Sequence, residues 1–149
     1  MRRLILFFDR YATNFLRKFF SGGTIREQWQ CCHGGSSSMN AGAQAEQFAA
    51  DYLQRHGLRL IAKNYRSRFG EIDLILFDGN VLVFVEVRLR RNADFGGAAA
   101  SIDARKQAKL ITTAQQYLTT LPTVPPCRFD AILLDGSGHI EWLKNAFSA

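Results

Sequence analysis

The sequence is poor in cysteine, with three in 149 residues, and their placing excludes a disulfide framework. Cys31 and Cys32 are adjacent and Cys127 stands alone, an odd set that fits a reducing compartment, so a cytoplasmic location is expected. Cys31-Cys32-His33 also lacks the gap between cysteines that tetrahedral zinc sites use. No apolar run approaches the ~20 residues of a membrane-spanning helix. No internal repeat is present. The first apolar stretch would make a poor secretory signal, because Asp9 and Arg10 interrupt it and no small-x-small cleavage site follows closely.

What is there has the composition of a globular protein, 47% hydrophobic and 21% charged. The formal charge of +6 is uneven, since residues 1–38 hold six Lys/Arg against two Asp/Glu. The basic character therefore belongs mostly to this first segment, and alone it is weak evidence for nucleic-acid binding. From Arg2 to Phe20, apolar residues recur with helical spacing, from Leu4 and Ile5 through Phe15 and Leu16 to Phe19 and Phe20, with Arg2, Arg3, Arg10, Arg17 and Lys18 off the stripe. Such a basic amphipathic helix could rest on an anionic membrane surface through residues 2–20. Gly34-Gly35-Ser36-Ser37-Ser38 then reads as a linker. Met39 follows directly, so residues 1–38 are either this helix plus linker or an extension ahead of a start at Met39. Residues 39–149 are the expected domain, long enough to bury a core.

Within that domain the patterns alternate between periods of 3.6 and 2. Ala43–His56 carries Ala45, Phe48, Ala49, Tyr52 and Leu53 on one helical face, with Gly57 as its stop. Leu58–Arg66 reads as a strand, with Leu58, Leu60 and Ala62 on one side. Glu71–Asp78 and Val81–Arg90 are strands joined at Asp78-Gly79-Asn80. Ser101–Thr120 is a helix, Pro122–Pro126 a loop, and Arg128–Leu134 and His139–Leu143 two further strands. The expected order is α-β-β-β-α-β-β.

The central hairpin carries the chemistry. With Gly79-Asn80 as the turn, Asp78 pairs with Val81 and Asp73 lies across from Glu86; with Asp78-Gly79 as the turn, Asp73 faces Phe84. Both registers put Asp73 and Glu86 on one face, with Cβ atoms about 4.5–8 Å apart. The neighbours Ile72, Leu74, Ile75, Leu76 and Val81–Val85 are apolar on both faces, as in strands buried between layers. Two carboxylates placed there repel each other and lose hydration unless a cation lies between them. A hard divalent ion answers both costs and would bring metal-assisted phosphodiester hydrolysis with it. Arg88 shares the face, and an ordinary Arg–carboxylate cluster is the competing reading, although one Arg can neutralise only one acid. Glu46, near the apolar face of the first helix, could reach the centre or simply face solvent. Lys106 could neutralise a phosphate or be an ordinary surface lysine.

The segments Gly42-Ala43-Gln44-Ala45-Glu46, Asn64-Tyr65-Arg66, Gly70-Glu71-Ile72-Asp73-Leu74-Ile75, Phe84-Val85-Glu86-Val87-Arg88-Leu89-Arg90, Lys106 and Arg128-Phe129-Asp130 together resemble the YraN-like family of small bacterial proteins, over about residues 40–147. That family is predicted to be endonucleases related to archaeal Holliday junction resolvases. The resemblance implies an α/β restriction-endonuclease-like fold, a mixed five-stranded sheet flanked by helices, here with the extra N-terminal amphipathic helix. It implies a PD-(D/E)xK site with Asp73 first, Glu86 second and Glu46 beside a Mg²⁺ or Mn²⁺ ion. The third position is Lys in the family and Arg88 here, and Arg does not give up its proton. DNA, including branched DNA, is the implied partner, and a homodimer the implied assembly. Arg66, Arg68, Arg90, Arg91, Arg105, Lys106 and Lys109 flank the site in sequence as candidate phosphate contacts. A nucleic-acid binder weakened in catalysis by Arg88, and a membrane-associated adaptor, are the alternative functions.

Overall fold

Helix α1 (Ala41–Arg55) forms because its small and apolar residues fall on one stripe, and Ala45, Ala49, Ala50 and Leu53 are buried there. It stops in a hydrogen-bonded cap: Leu58 N donates to Leu53 O and Gly57 N to Gln54 O. Gly57 takes φ +89°, a conformation that favours glycine. Leu58, just past the cap, is buried in the same cluster as Leu53. The computed structural model describes residues 41–90 and 102–148. The expected helix at 2–20, the linker before Met39 and Arg91 lie outside those residues.

After α1 come β1 (Arg59–Ser67), β2 (Gly70–Asp78), β3 (Val81–Arg90), α2 (Ala104–Leu118), β4 (Cys127–Asp135) and β5 (Ile140–Phe147). This is the order read from the sequence, although β5 runs past Leu143 to Phe147 and the second helix is shorter at both ends. The strands make one five-stranded sheet in sequential order. The β3–β4 pair is parallel and the other three pairs are antiparallel, so the sheet is mixed. The parallel step follows from α2, which crosses over between β3 and β4 and returns the chain to the end where β3 began.

The two helices cover opposite faces. Leu74, Leu76, Val83, Val85, Ile132 and Leu134 pack with α1, while Ile75, Leu82, Phe84, Phe129 and Ala131 pack with α2. This two-sided burial is why β2 and β3 read as nearly continuous apolar runs. The simple alternation expected for β1 fails. Leu60 pairs with Leu76 and Ala62 with Ile75, so Ile61 is an extra residue and a bulge. Leu60 therefore packs on the α1 side and Ala62 on the α2 side.

One buried polar network ties the α1 side together, toward the β2–β3 turn. Asp130 is wholly buried. Its carboxylate accepts from Arg128 Nε at 3.0 Å, from the Trp142 indole at 2.9 Å and from Asn145 N at 3.0 Å. Arg128 also reaches Asp78 at 2.8 Å. The Arg128-Phe129-Asp130 segment thus joins the tip of the hairpin to β5.

Candidate functional site

Asp73 stands where two strands part. The β2–β3 ladder has the register with Gly79-Asn80 as the turn, with Asp78 on Val81, and its last pair is Leu74 on Val85. The expected Asp73–Glu86 pair does not form. β2 leaves β3 there, while β3 continues along β4 as far as Arg90. Asp73 instead uses Oδ2 to accept the Val87 N–H at 2.7 Å, occupying a donor that the departing strand no longer satisfies.

Glu86 is buried at 4% exposure and Asp73 at 8%. Lys106, one turn into α2, brings Nζ to 3.1 Å from Glu86 Oε1. Arg88 Nε lies 3.5 Å from the same oxygen. The helix start is fixed by Asp103, whose side chain caps it by accepting the Lys106 N–H at 2.7 Å. Glu86 Oε2 is buried with no hydrogen-bond partner among the described residues.

The charges around the two acids are unevenly shared. Glu86 has two cations against one of its oxygens, whereas Asp73 has one backbone N–H and an excess of negative neighbours. Burial, then the Glu86 charge, pushes the Asp73 carboxyl from 3.8 up to about 7; Glu46 adds to the rise, and the Val87 N–H and Lys106 oppose it. The competing Arg–carboxylate reading accounts for Glu86 and leaves Asp73 unaccounted for. A divalent cation fits what remains: a desolvated acid, a second acid beside it, and a buried carboxylate oxygen with no donor. Asp73 and Glu86 are the residues that would hold it. Glu46, half-buried on α1, contributes charge at Asp73; among the described residues no three acidic, His or Cys side chains gather as a metal-ligand group.

The sign of the resulting pH effect follows directly. A group whose folded pKa is raised stabilises the fold below its unfolded pKa, and that contribution is lost as pH rises through the folded value. In chelator, Asp73 should therefore cost the protein stability progressively between about pH 4 and pH 7. The loss is on the order of a few kcal/mol at most, from ~1.4 kcal/mol per unit. Chemical denaturation at a series of pH values checks this: the midpoint should fall toward pH 7 and level off above it, and a midpoint that rises across this window contradicts the assignment.

A groove of about 490 Å³ opens beside the acids, lined by Arg66, Ser67, Gly70, Glu71, Lys106, Lys109 and Leu110. Three of the expected phosphate contacts, Arg66, Lys106 and Lys109, therefore share one surface. Arg66 pairs with Glu71 at 3.3 Å, both largely exposed. Arg68 lies in the turn after β1, and Arg90 at the end of β3; neither lines the groove. Gly70 lets the β1–β2 turn approach α2, for a Cβ there would fall 3.2 Å from Thr113 Oγ1. Asp103 and Thr113 escaped sequence reasoning. An Asp just ahead of the α2 stripe was the one available signal, as a capping residue.

Fold and site together define a mixed α/β protein with a buried acid pair at a strand divergence and a basic groove beside it. Comparison with known sequences gives the family. Residues 45–134 match the model of the uncharacterised protein family UPF0102, and the chain belongs to that family, the YraN-like group its motifs resemble. A UPF0102 protein of Nitrosomonas eutropha is 57% identical over 112 residues, 75% of this chain and 97% of the relative. One of Psychromonas ingrahamii is 55% identical over 112 residues, covering 74% and 92% of the two chains. One of Pseudomonas savastanoi pv. phaseolicola is 48% identical over 120 residues, covering 76% and 98%. No helix among the described residues is long and apolar enough to cross a membrane.

Proposed function

We propose that the protein is a metal-dependent DNA endonuclease acting on phosphodiester bonds, with branched DNA as its substrate. The observation that carries this reading is the Asp73–Glu86 pair, buried together with Asp73 raised to about 7. Bound there, Mg²⁺ or Mn²⁺ would supply charge neutralisation on a phosphate and a more acidic water. The chain's own residues do the rest. The Val87 N–H orients Asp73, while Lys106 and Arg88 place positive charge beside Glu86, where a phosphate oxygen would arrive. Arg66 and Lys109 extend that charge along the groove, holding the strand without reading its bases. A guanidinium such as that of Arg88 can hold a phosphate and is no base for water. The preference for branched DNA rests on the resemblance to resolvases.

Arg88 in the lysine position and the lack of a three-acid group among the described residues favour a second reading, a DNA binder with little turnover. One experiment separates the two: labelled four-way, flap and linear DNA incubated with Mg²⁺ or Mn²⁺. The nuclease reading expects cleavage by the wild type and loss of it in Asp73→Ala and Glu86→Ala. Equal cleavage in the double variant overturns it. Salt-sensitive binding without cleavage supports the second reading, in which Arg88→Lys gains turnover.

A further inference from the structure

The β1–β2 turn presents a side chain that the endonuclease reading leaves unused. Ser67 pairs with Gly70 across the turn, and Ser67 Oγ accepts the Phe69 N–H at 3.1 Å. Phe69 is 36% exposed, one of three large hydrophobic residues so exposed among those described. A scattered surface apolar residue needs no special reason. The setting of this one is particular. Its chain neighbours Ser67 and Gly70 both line the basic groove. The Arg68 guanidinium carbon lies 4.7 Å from the Phe69 ring centroid, so a cation and an aromatic face form one unit. The close approach of Gly70 to Thr113 seats the turn on α2.

The groove commits this surface to one kind of occupant. Of its four charged residues, Arg66, Lys106 and Lys109 are cationic, and the lone acid, Glu71, is matched by Arg66. Its volume, about 490 Å³, is that of a small-ligand cleft. An opening of that volume is matched to a nucleotide or two of a single strand. Bases inside a duplex have both faces covered by neighbours, whereas a base at a flap, bulge or junction has a free face, and an aromatic ring stacks on it whatever its identity. We propose that Phe69, backed by Arg68, stacks on an unstacked base of a DNA strand whose phosphates run along Arg66, Lys109 and Lys106 toward the acid pair. This rests on the DNA-directed part of the endonuclease reading and supplies a physical origin for a preference for interrupted duplexes.

The test is a binding measurement with full-length protein in chelator, which makes it independent of catalysis. Two duplexes are compared, one fully paired and one carrying a single bulged 2-aminopurine. The wild type binds the bulged DNA about tenfold more tightly and quenches its fluorescence. Phe69→Ala loses that preference, a change of about tenfold, with an unchanged melting temperature. Phe69→Trp keeps it. Arg66→Ala and Lys109→Ala weaken both duplexes by the same factor and flatten the salt dependence. A preference that survives Phe69→Ala overturns the inference, and so does the absence of DNA binding. Cleavage with Mg²⁺ is scored separately. A Phe69-dependent preference without cleavage defeats only the endonuclease reading; cleavage with a Phe69-independent preference defeats only this one.

Discussion

Asp73→Asn is expected to abolish cleavage while making the metal-free protein more stable at pH 8. The two effects share one cause. Asp73 is 8% exposed, and its charge is opposed first by burial and then by Glu86 and Glu46. Asn keeps an oxygen to accept the Val87 N–H and discards the charge, so the folded state sheds an unfavourable ionisation. The gain should be about 1–3 kcal/mol at pH 8 and vanish at about pH 3, below the unfolded value of 3.8, where the carboxyl is protonated in folded and unfolded chains alike. A neutral amide is a poor ligand for a hard divalent ion, and activity should fall on the order of 10³-fold, at least the loss seen when one preorganised electrostatic contact is removed. Denaturation in chelator at the two pH values, beside a Mg²⁺-dependent cleavage assay, gives both signs. An Asn variant that is less stable at pH 8 would mark Asp73 as a structural acid and remove the main support for a metal there.

The opposite behaviour is expected at another buried acid, Asp130. Asp130→Ala should destabilise the protein by about 3–5 kcal/mol, because it leaves the Arg128 guanidinium without its principal partner inside the fold. The Trp142 indole and the Asn145 N–H lose their acceptor at the same time. In a domain of this size that corresponds to a melting temperature lower by more than about 12 °C. Removing the cation as well, in Arg128→Met with Asp130→Ala, should recover part of the loss. Differential scanning calorimetry on the three proteins measures it. A single variant that melts within a few degrees of the wild type would show the network to be dispensable. If both expectations hold, Asp130 belongs to stability and Asp73 to the proposed chemistry, although both are acids in apolar strands.

That distinction was only partly legible. The hairpin register could be narrowed from the turn residues, and the structure has Asp78 on Val81. The helical and strand stretches followed from periodicity, since the direction of each side chain is fixed by its own backbone. The bulge at Ile61 was not legible, because an extra residue leaves the composition of a strand unchanged and only inverts which face the following side chains meet. Nor was the end of the β2–β3 ladder, on which the Asp73 contact with Val87 depends. Arg128-Phe129-Asp130 was visible as part of the family resemblance, but its burial against Trp142 and Asn145 depended on β5 pairing beside β4 with a register shift opposite Asp130. The Arg68-Phe69-Gly70 loop could be placed from the sequence at the mouth of the hairpin, but that its flanks Ser67 and Gly70 line a groove could not.

The amino-acid order alone determined the element order α-β-β-β-α-β-β, the two apolar helix faces, and the presence of two acids in a hairpin of otherwise apolar strands. These are local properties, set within a few residues by period and turn chemistry. Only the tertiary structure decided the balance of charge. Lys106 meets Glu86 across 20 positions of sequence and one crossover, and Asp73 is driven toward neutrality by what packs around it. Desolvation and Coulomb interaction depend on distance in space, and chain separation carries almost no information about that distance.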